Sequence, residues 1–112
     1  MKHHALKVFQ QPPDRLNCAQ SVLHGWHQVS GDTSIPLADL KSFGGGRAPE
    51  GLCGALHAAC LIAGTAAGEV KDSFAARLGS VYCRELRGNR THPCETCVAV
   101  ASELAQSAAA RP

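Results

Sequence analysis

The sequence predicts an all-α fold, a small single-domain bundle of about four to five helices around a central alanine-rich buried helix. Three observations carry that expectation. Of 112 residues, 45% are hydrophobic but only 4% aromatic, so the core must be built from Ala, Leu, Val and Ile, which suit closely packed helices better than sandwiched sheets. Apolar residues recur at helical spacing, as in Val70, Phe74 and Leu78. Pro36, the run Gly44, Gly45 and Gly46, Gly79 and Pro93 mark boundaries between the helical patterns. The length suits one domain over residues 1–112, with an N-terminal arm at 1–14 and a frayed tail at 108–112.

Asn17 is a suitable N-cap for the first helix, whose apolar residues are Leu16, Val22, Leu23 and Trp26, and Cys18 then falls in its first turn. Pro36 opens a short second helix over 37–43, which Gly44, Gly45 and Gly46 stop. The longest helical pattern runs from about 53 to 67, small and apolar nearly all round, with Cys53 at its N-terminal end. A further helix is expected from near Glu69 to Leu78, with Gly79 as its C-terminal cap. Ser80 can cap a short turn at 81–87 that contains Cys83 and finishes at Gly88. Pro93 opens the last helix, which places Cys94 in its first turn and continues through Val98, Ala101 and Leu104.

Eleven Lys and Arg against nine Asp and Glu give a net charge of +2, and the basic residues are scattered, so nothing recommends a nucleic-acid partner. The N-terminus has no apolar run of signal-peptide length. The longest apolar stretch, 52–68, is broken by glycine and by His57 and is short for a membrane span. These features predict a cytoplasmic protein without membrane insertion. In a reducing compartment, six cysteines point to metal binding or redox chemistry ahead of a disulfide framework.

Cys18, Cys53, Cys83 and Cys94 are each expected at a helix start, where unpaired N–H groups and the helix dipole favour negative charge. Such positions lower a thiol pKa and favour the metal-binding thiolate. Four thiolates match the ligand set of a [2Fe-2S] or [4Fe-4S] cluster, and they also satisfy zinc. Zinc ribbons draw ligands from two close pairs, whereas these four are spread over the domain, which fits a site where several helices converge. The glycines of the loop, Gly44, Gly45 and Gly46, together with Gly54, let the main chain pass close to a bulky centre.

Cys60 lies mid-helix and reads first as packing, although it shares a face with Cys53. His57, between them, is a candidate ligand or hydrogen-bond donor set against an ordinary core histidine. His24 and His27 read as surface residues and His92 as a loop residue. The "CETC" pair, Cys94 and Cys97, has dithiol spacing but no βαβ context, and Val98 stands where covalent haem attachment requires His. Cys97 is an additional ligand or a resolving thiol, with burial as the plain alternative. No arrangement of catalytic side chains stands out, which favours a carrier over an enzyme.

The segments "LNCAQSVL", "FGGG" with "LCGALHAA", "VYCRELRG" and "CETCV" resemble the C-GCAxxG-C-C family of putative redox-active proteins over about residues 16–100. The family's four characteristic cysteines fall on Cys18, Cys53, Cys83 and Cys94. The chain departs from the pattern around His57 and Ala58, and Cys60 and Cys97 are additional. The resemblance implies a small helical protein with a redox or metal role; similar domains occur in split-Soret cytochromes, where an iron–sulfur centre accompanies the haems.

The leading expectation is therefore an iron–sulfur protein for electron transfer or redox sensing, held by those four cysteines and serving a redox partner protein of unknown identity. A metal-free thiol–disulfide protein or sulfur carrier using Cys94 and Cys97, or a pair drawn from the dispersed four, is the second expectation. A structural four-cysteine zinc domain is the third. A homodimer that shields the centre is a candidate assembly, given the few aromatics and the glycine-rich loop.

Overall fold

The computed structural model describes residues 2–9, 16–31, 35–43, 51–82 and 94–109. Those residues form five α-helices: α1 (Lys2–Val8), α2 (Cys18–Ser30), α3 (Gly54–Ala63), α4 (Ala67–Leu78) and α5 (Cys94–Ala109). Two 3-10 segments, Leu37–Phe43 and Gly64–Ala66, complete the regular structure. The all-α expectation holds. Among the described residues β-pairing is confined to two isolated bridges, Phe9 with Leu16 and Leu52 with Tyr82. The expected turn beyond Tyr82, the loop at 88–92, Pro93 and the end of the tail lie outside the described residues.

Asn17 caps α2 as its sequence position suggests, and Gln20 makes the cap reciprocal. The Gln20 N–H donates to Asn17 Oδ1 at 2.8 Å, and the Asn17 N–H donates to Gln20 Oε1 at 3.2 Å. Two otherwise unpaired helix-start donors are thereby satisfied. The same side chains fasten the next segment. Asn17 Nδ2 donates to the carbonyls of Leu40 and Lys41 at 3.1 and 2.9 Å, and Gln20 Nε2 donates to Leu37 O at 3.1 Å. Leu37–Phe43 winds as 3-10 helix rather than α-helix, a tighter form common in short connectors.

The apolar run expected as one helix from 53 to 67 ends earlier, at Ala63. Gly64 turns to φ +60, a backbone conformation that excludes most other residues, and one 3-10 turn leads directly into α4. Nor is α3 buried all round. Gly54, Ala55, Leu56, Ala58 and Ala59 are buried, whereas Leu61 near its far end is exposed. Gly79, at φ +87, closes α4 by donating its N–H to Ala75 O at 2.7 Å.

α3 packs most extensively on α5 and α2 and then on α4, which makes it the shared partner of the bundle. Phe74, Leu23, Leu40, Leu56, Val22 and Val98 supply the largest fully buried apolar side chains. Each removes enough apolar surface from water to contribute about 1.5–3 kcal/mol. The N-terminal arm carries a helix that its sequence does not announce: α1 packs on α2 and α5 and buries Ala5, with Phe9 buried just beyond its end. Lys2 donates to Glu103 on α5, and Arg77 on α4 reaches the same carboxylate at 3.3 Å. These exposed pairs hold Glu103 below the usual carboxylate range, chiefly through the Lys2 hydrogen bond. Solvent screening limits what such pairs add to stability.

Candidate functional site

Cys53 stands at the N-cap of α3, where its carbonyl accepts the first helical bond from His57 N at 2.9 Å. Its own N–H donates to Val81 O at 2.9 Å, next to the antiparallel bridge between Leu52 and Tyr82. The chain entering α3 is thus stitched to the two residues that precede Cys83 in sequence. Cys97, in the opening turns of α5, belongs to the same buried core and lies near enough to Cys53 to influence its thiol. Each of the two is only 4% exposed.

The pair inverts one expectation from sequence. A helix N-terminus was expected to lower the Cys53 pKa, and the amides of Ala55 and Leu56 do act in that direction without closing a side-chain cap hydrogen bond. The Cys97 hydrogen bond and burial outweigh them and hold the Cys53 thiol well above its usual range. Cys53 is thereby favoured as the thiol. A positive centre beside it would release that proton, so the arrangement suits chemistry that exchanges S–H for another bond to sulfur.

Cys18 is buried as the first residue of α2, held by the Asn17–Gln20 cap, and joins the same apolar core as Cys53 and Cys97. Cys94 begins α5, and its side chain lies outside the described residues. Cys83 and the loop glycines Gly44, Gly45 and Gly46 also lie outside them, while Gly54 is buried as the first residue of α3. Cys18, Cys53, Cys60 and Cys97 are thiols rather than disulfides. Among the described residues no group of three or more His, Cys, Asp or Glu side chains stands in a metal-holding arrangement.

Of the additional candidates, Cys60 is seven residues along α3 from Cys53, about 10 Å at the helical rise. Its sulfur is half-buried and donates to Ala67 O at 3.8 Å, consistent with a packing role, and burial raises its pKa. His57 lies one turn from Cys53, half-buried, and burial lowers its pKa. His24 and His27, expected on the surface, are half-buried instead. His27 Nε2 donates to Ile35 O at 2.9 Å, tying the end of α2 to the 3-10 segment.

Sequence spacing singled out Cys97 through Cys94, its neighbour on one helix. The thiol it influences, Cys53, lies at the start of α3, and no local signal announces that. The Asn17-x-x-Gln20 spacing did contain the capping box that fixes the residue before Cys18. Among the described residues, no helix is long and apolar enough to cross a membrane. A family model described as "Putative redox-active protein (C_GCAxxG_C_C)" matches residues 16–108, from the residue before the α2 cap into the last turn of α5. No curated protein and no solved structure matches the chain.

Proposed function

The chain belongs to the C_GCAxxG_C_C family of putative redox-active proteins, and from that premise we propose that it is an iron–sulfur redox protein that carries electrons or senses redox state, with Cys18, Cys53, Cys83 and Cys94 as the residues that would hold the cluster. One observation supports this reading: residues 52–53 are hydrogen-bonded to 81–82, Cys97 of α5 lies in the same buried core as Cys53, and Cys18 opens a helix packed on both α3 and α5.

The chemistry of the donors supports it. Cys53 is a soft sulfur ligand, buried from water at a helix start whose amides favour its thiolate, and Cys18 is a buried thiol in the first turn of another helix. A bound cluster supplies one-electron transfer at iron. The protein's own residues shield that centre and fix its ligands, with the Asn17–Gln20 box holding the start of α2 and the Leu52–Tyr82 bridge holding the start of α3. A thiol–disulfide protein without metal is the second reading, favoured by the burial of Cys53 and Cys97 in one core and by the influence of Cys97 on the Cys53 thiol.

The test is elemental. Protein purified without oxygen, or reconstituted with ferrous iron and sulfide, is expected to be brown and to contain iron and acid-labile sulfide. Cys53→Ala should lose both, and a colourless, iron-free protein after reconstitution overturns the reading. Zinc in place of iron would favour the structural alternative.

A further inference from the structure

We propose that the groove between α2 and α5 is a helix-docking site with an exchangeable occupant: α1 of a second copy of this chain takes the place of α1 in cis, and two copies associate by trading their N-terminal helices. The groove is seen filled. α1 lies against both walls, α2 and α5, and the face it turns to them follows the i, i+3, i+4, i+7 spacing of a helix laid in a groove, with Lys2, Ala5, Leu6 and Phe9. Phe9 stays on that face because its N–H donates to Ala5 O at 3.2 Å, one further helical turn. Ala5 is fully buried, Phe9 nearly so, and Leu6 packs on the same core, whereas His3, His4 and Lys7 are exposed. Lys2 donates to Glu103 on α5, so the groove offers a carboxylate where its occupant brings a cation.

Two observations set α1 apart from the walls it fills. A helix of seven residues is too short to persist in water by itself, so α1 owes its form to the surface beneath it. The family match begins at residue 16, so both walls of the groove lie inside the matched region and the occupant lies outside it.

A second copy is the occupant the groove is built to take, because every copy carries the same helix, the same walls and the same Lys2 and Glu103 charges. Exchange replaces each contact with an identical one and makes a symmetric pair. What opposes it is the local concentration of a helix tethered beside its own groove, on the order of millimolar for a short linker.

The Lys2–Glu103 pair makes the exchange readable in the full-length wild type. Equal amounts of unlabelled and nitrogen-15-labelled protein would be mixed under reducing conditions at concentrations rising towards about 1 mM. A water-soluble carbodiimide, which condenses a paired amine and carboxylate into an amide, is then added, and the digest is read by mass spectrometry. The expected result is a set of Lys2–Glu103 cross-links that join a light peptide to a heavy one, their share rising several-fold as the protein is concentrated. Cross-links that join only light to light and heavy to heavy at every concentration overturn the proposal. Mixed links spread as heavily over Glu69 and Asp72 as over Glu103 mark random encounter and overturn it too.

Charge reversal tests the same fit from the other side. Lys2→Glu and Glu103→Lys each set like charges together in cis, but two such chains that exchange helices regain an opposite-charge contact in both grooves. Their mixture should form a one-to-one dimer, several-fold more populated by light scattering than the wild-type dimer at the same concentration, with neither variant alone exceeding wild type. The gain is several-fold rather than complete because an exposed ion pair is weak. A mixture no more dimeric than wild type overturns the proposal. Should either variant fail to fold, as judged by its helical circular dichroism, the cross-linking arm decides alone, since it uses only wild type.

Discussion

The backbone N–H of Cys53 donates to the carbonyl of Val81, joining the start of α3 to the strand-like pair of residues that leads into Cys83. A hydrogen bond in that place should govern how the sulfur-bearing ends move. The Cys53 amide, buried and bonded outside its own helix, is expected to exchange with deuterium far more slowly than an exposed helix-start amide such as that of His3 in the first turn of α1. Backbone hydrogen exchange followed by NMR checks this. Exchange at Cys53 as fast as at an exposed site would mean that the Leu52–Tyr82 bridge opens readily.

The four described thiols should differ in reactivity in an order set by exposure. Cys53 and Cys97 are buried, and Cys97 together with burial holds the Cys53 pKa up, while Cys60 is half-buried with Lys71 acting to lower its pKa against the effect of burial. Iodoacetamide near neutral pH should therefore modify Cys60 well before Cys53 or Cys97 in the reduced, metal-free protein. A peptide-level alkylation time course reads this directly, and early loss of Cys53 would contradict the burial of the pair.

Asn17 has two jobs, and different variants separate them. Asn17→Ala removes both the cap to Gln20 and the donors to Leu40 and Lys41, and should cost between about 1 and 2 kcal/mol in urea unfolding. Asn17→Asp keeps a capping oxygen but loses the Nδ2 donors, placing a carboxylate against two carbonyls. It should recover part of the helix cap while leaving the 3-10 segment loosened, visible as faster amide exchange at Leu40 than in wild type.

The parts of the fold that sequence displays are those written in neighbouring residues. Asn17 before an apolar run, Pro36 before Leu37, and Gly79 after Leu78 each act through the backbone within a turn, so their positions are recoverable without any tertiary information. α1 is different. Its seven residues bury only Ala5 within the helix, and what holds it is packing on α2 and α5 together with an ion pair to Glu103, a residue 101 positions away. Likewise Cys53, Cys94 and Cys18 were recognisable as helix-start cysteines, but the pairing of Cys53 with Cys97 depends on how α5 lies against α3. The direction of the Cys53 pKa shift followed from that pairing, and so it ran opposite to the local expectation.

Acid should destabilise the protein through its histidines. His24 has its pKa lowered first by burial and then by His27 and His4, and His57 has its own lowered by burial. A histidine depressed in the folded state binds protons more readily when unfolded, so its contribution is present above the ordinary value of about 6.5 and is lost as pH falls through the folded value. Thermal unfolding midpoints should fall between about pH 7 and pH 5. His24→Gln should flatten that decline without abolishing it, because His57 contributes with the same sign. An unchanged slope in the variant would assign the acid sensitivity elsewhere.

Ala55, Ala58 and Ala59 are fully inaccessible along α3, the helix that α2 and α5 both pack against. Such small, fully buried side chains leave the seam little slack: an added methylene must be absorbed by moving a neighbour, and Cys53 at the helix start moves with it. Divergence among copies of this chain should accordingly be channelled away from the seam and into outward positions such as Val29, Leu61 and Tyr82, where a change in size displaces nothing but solvent.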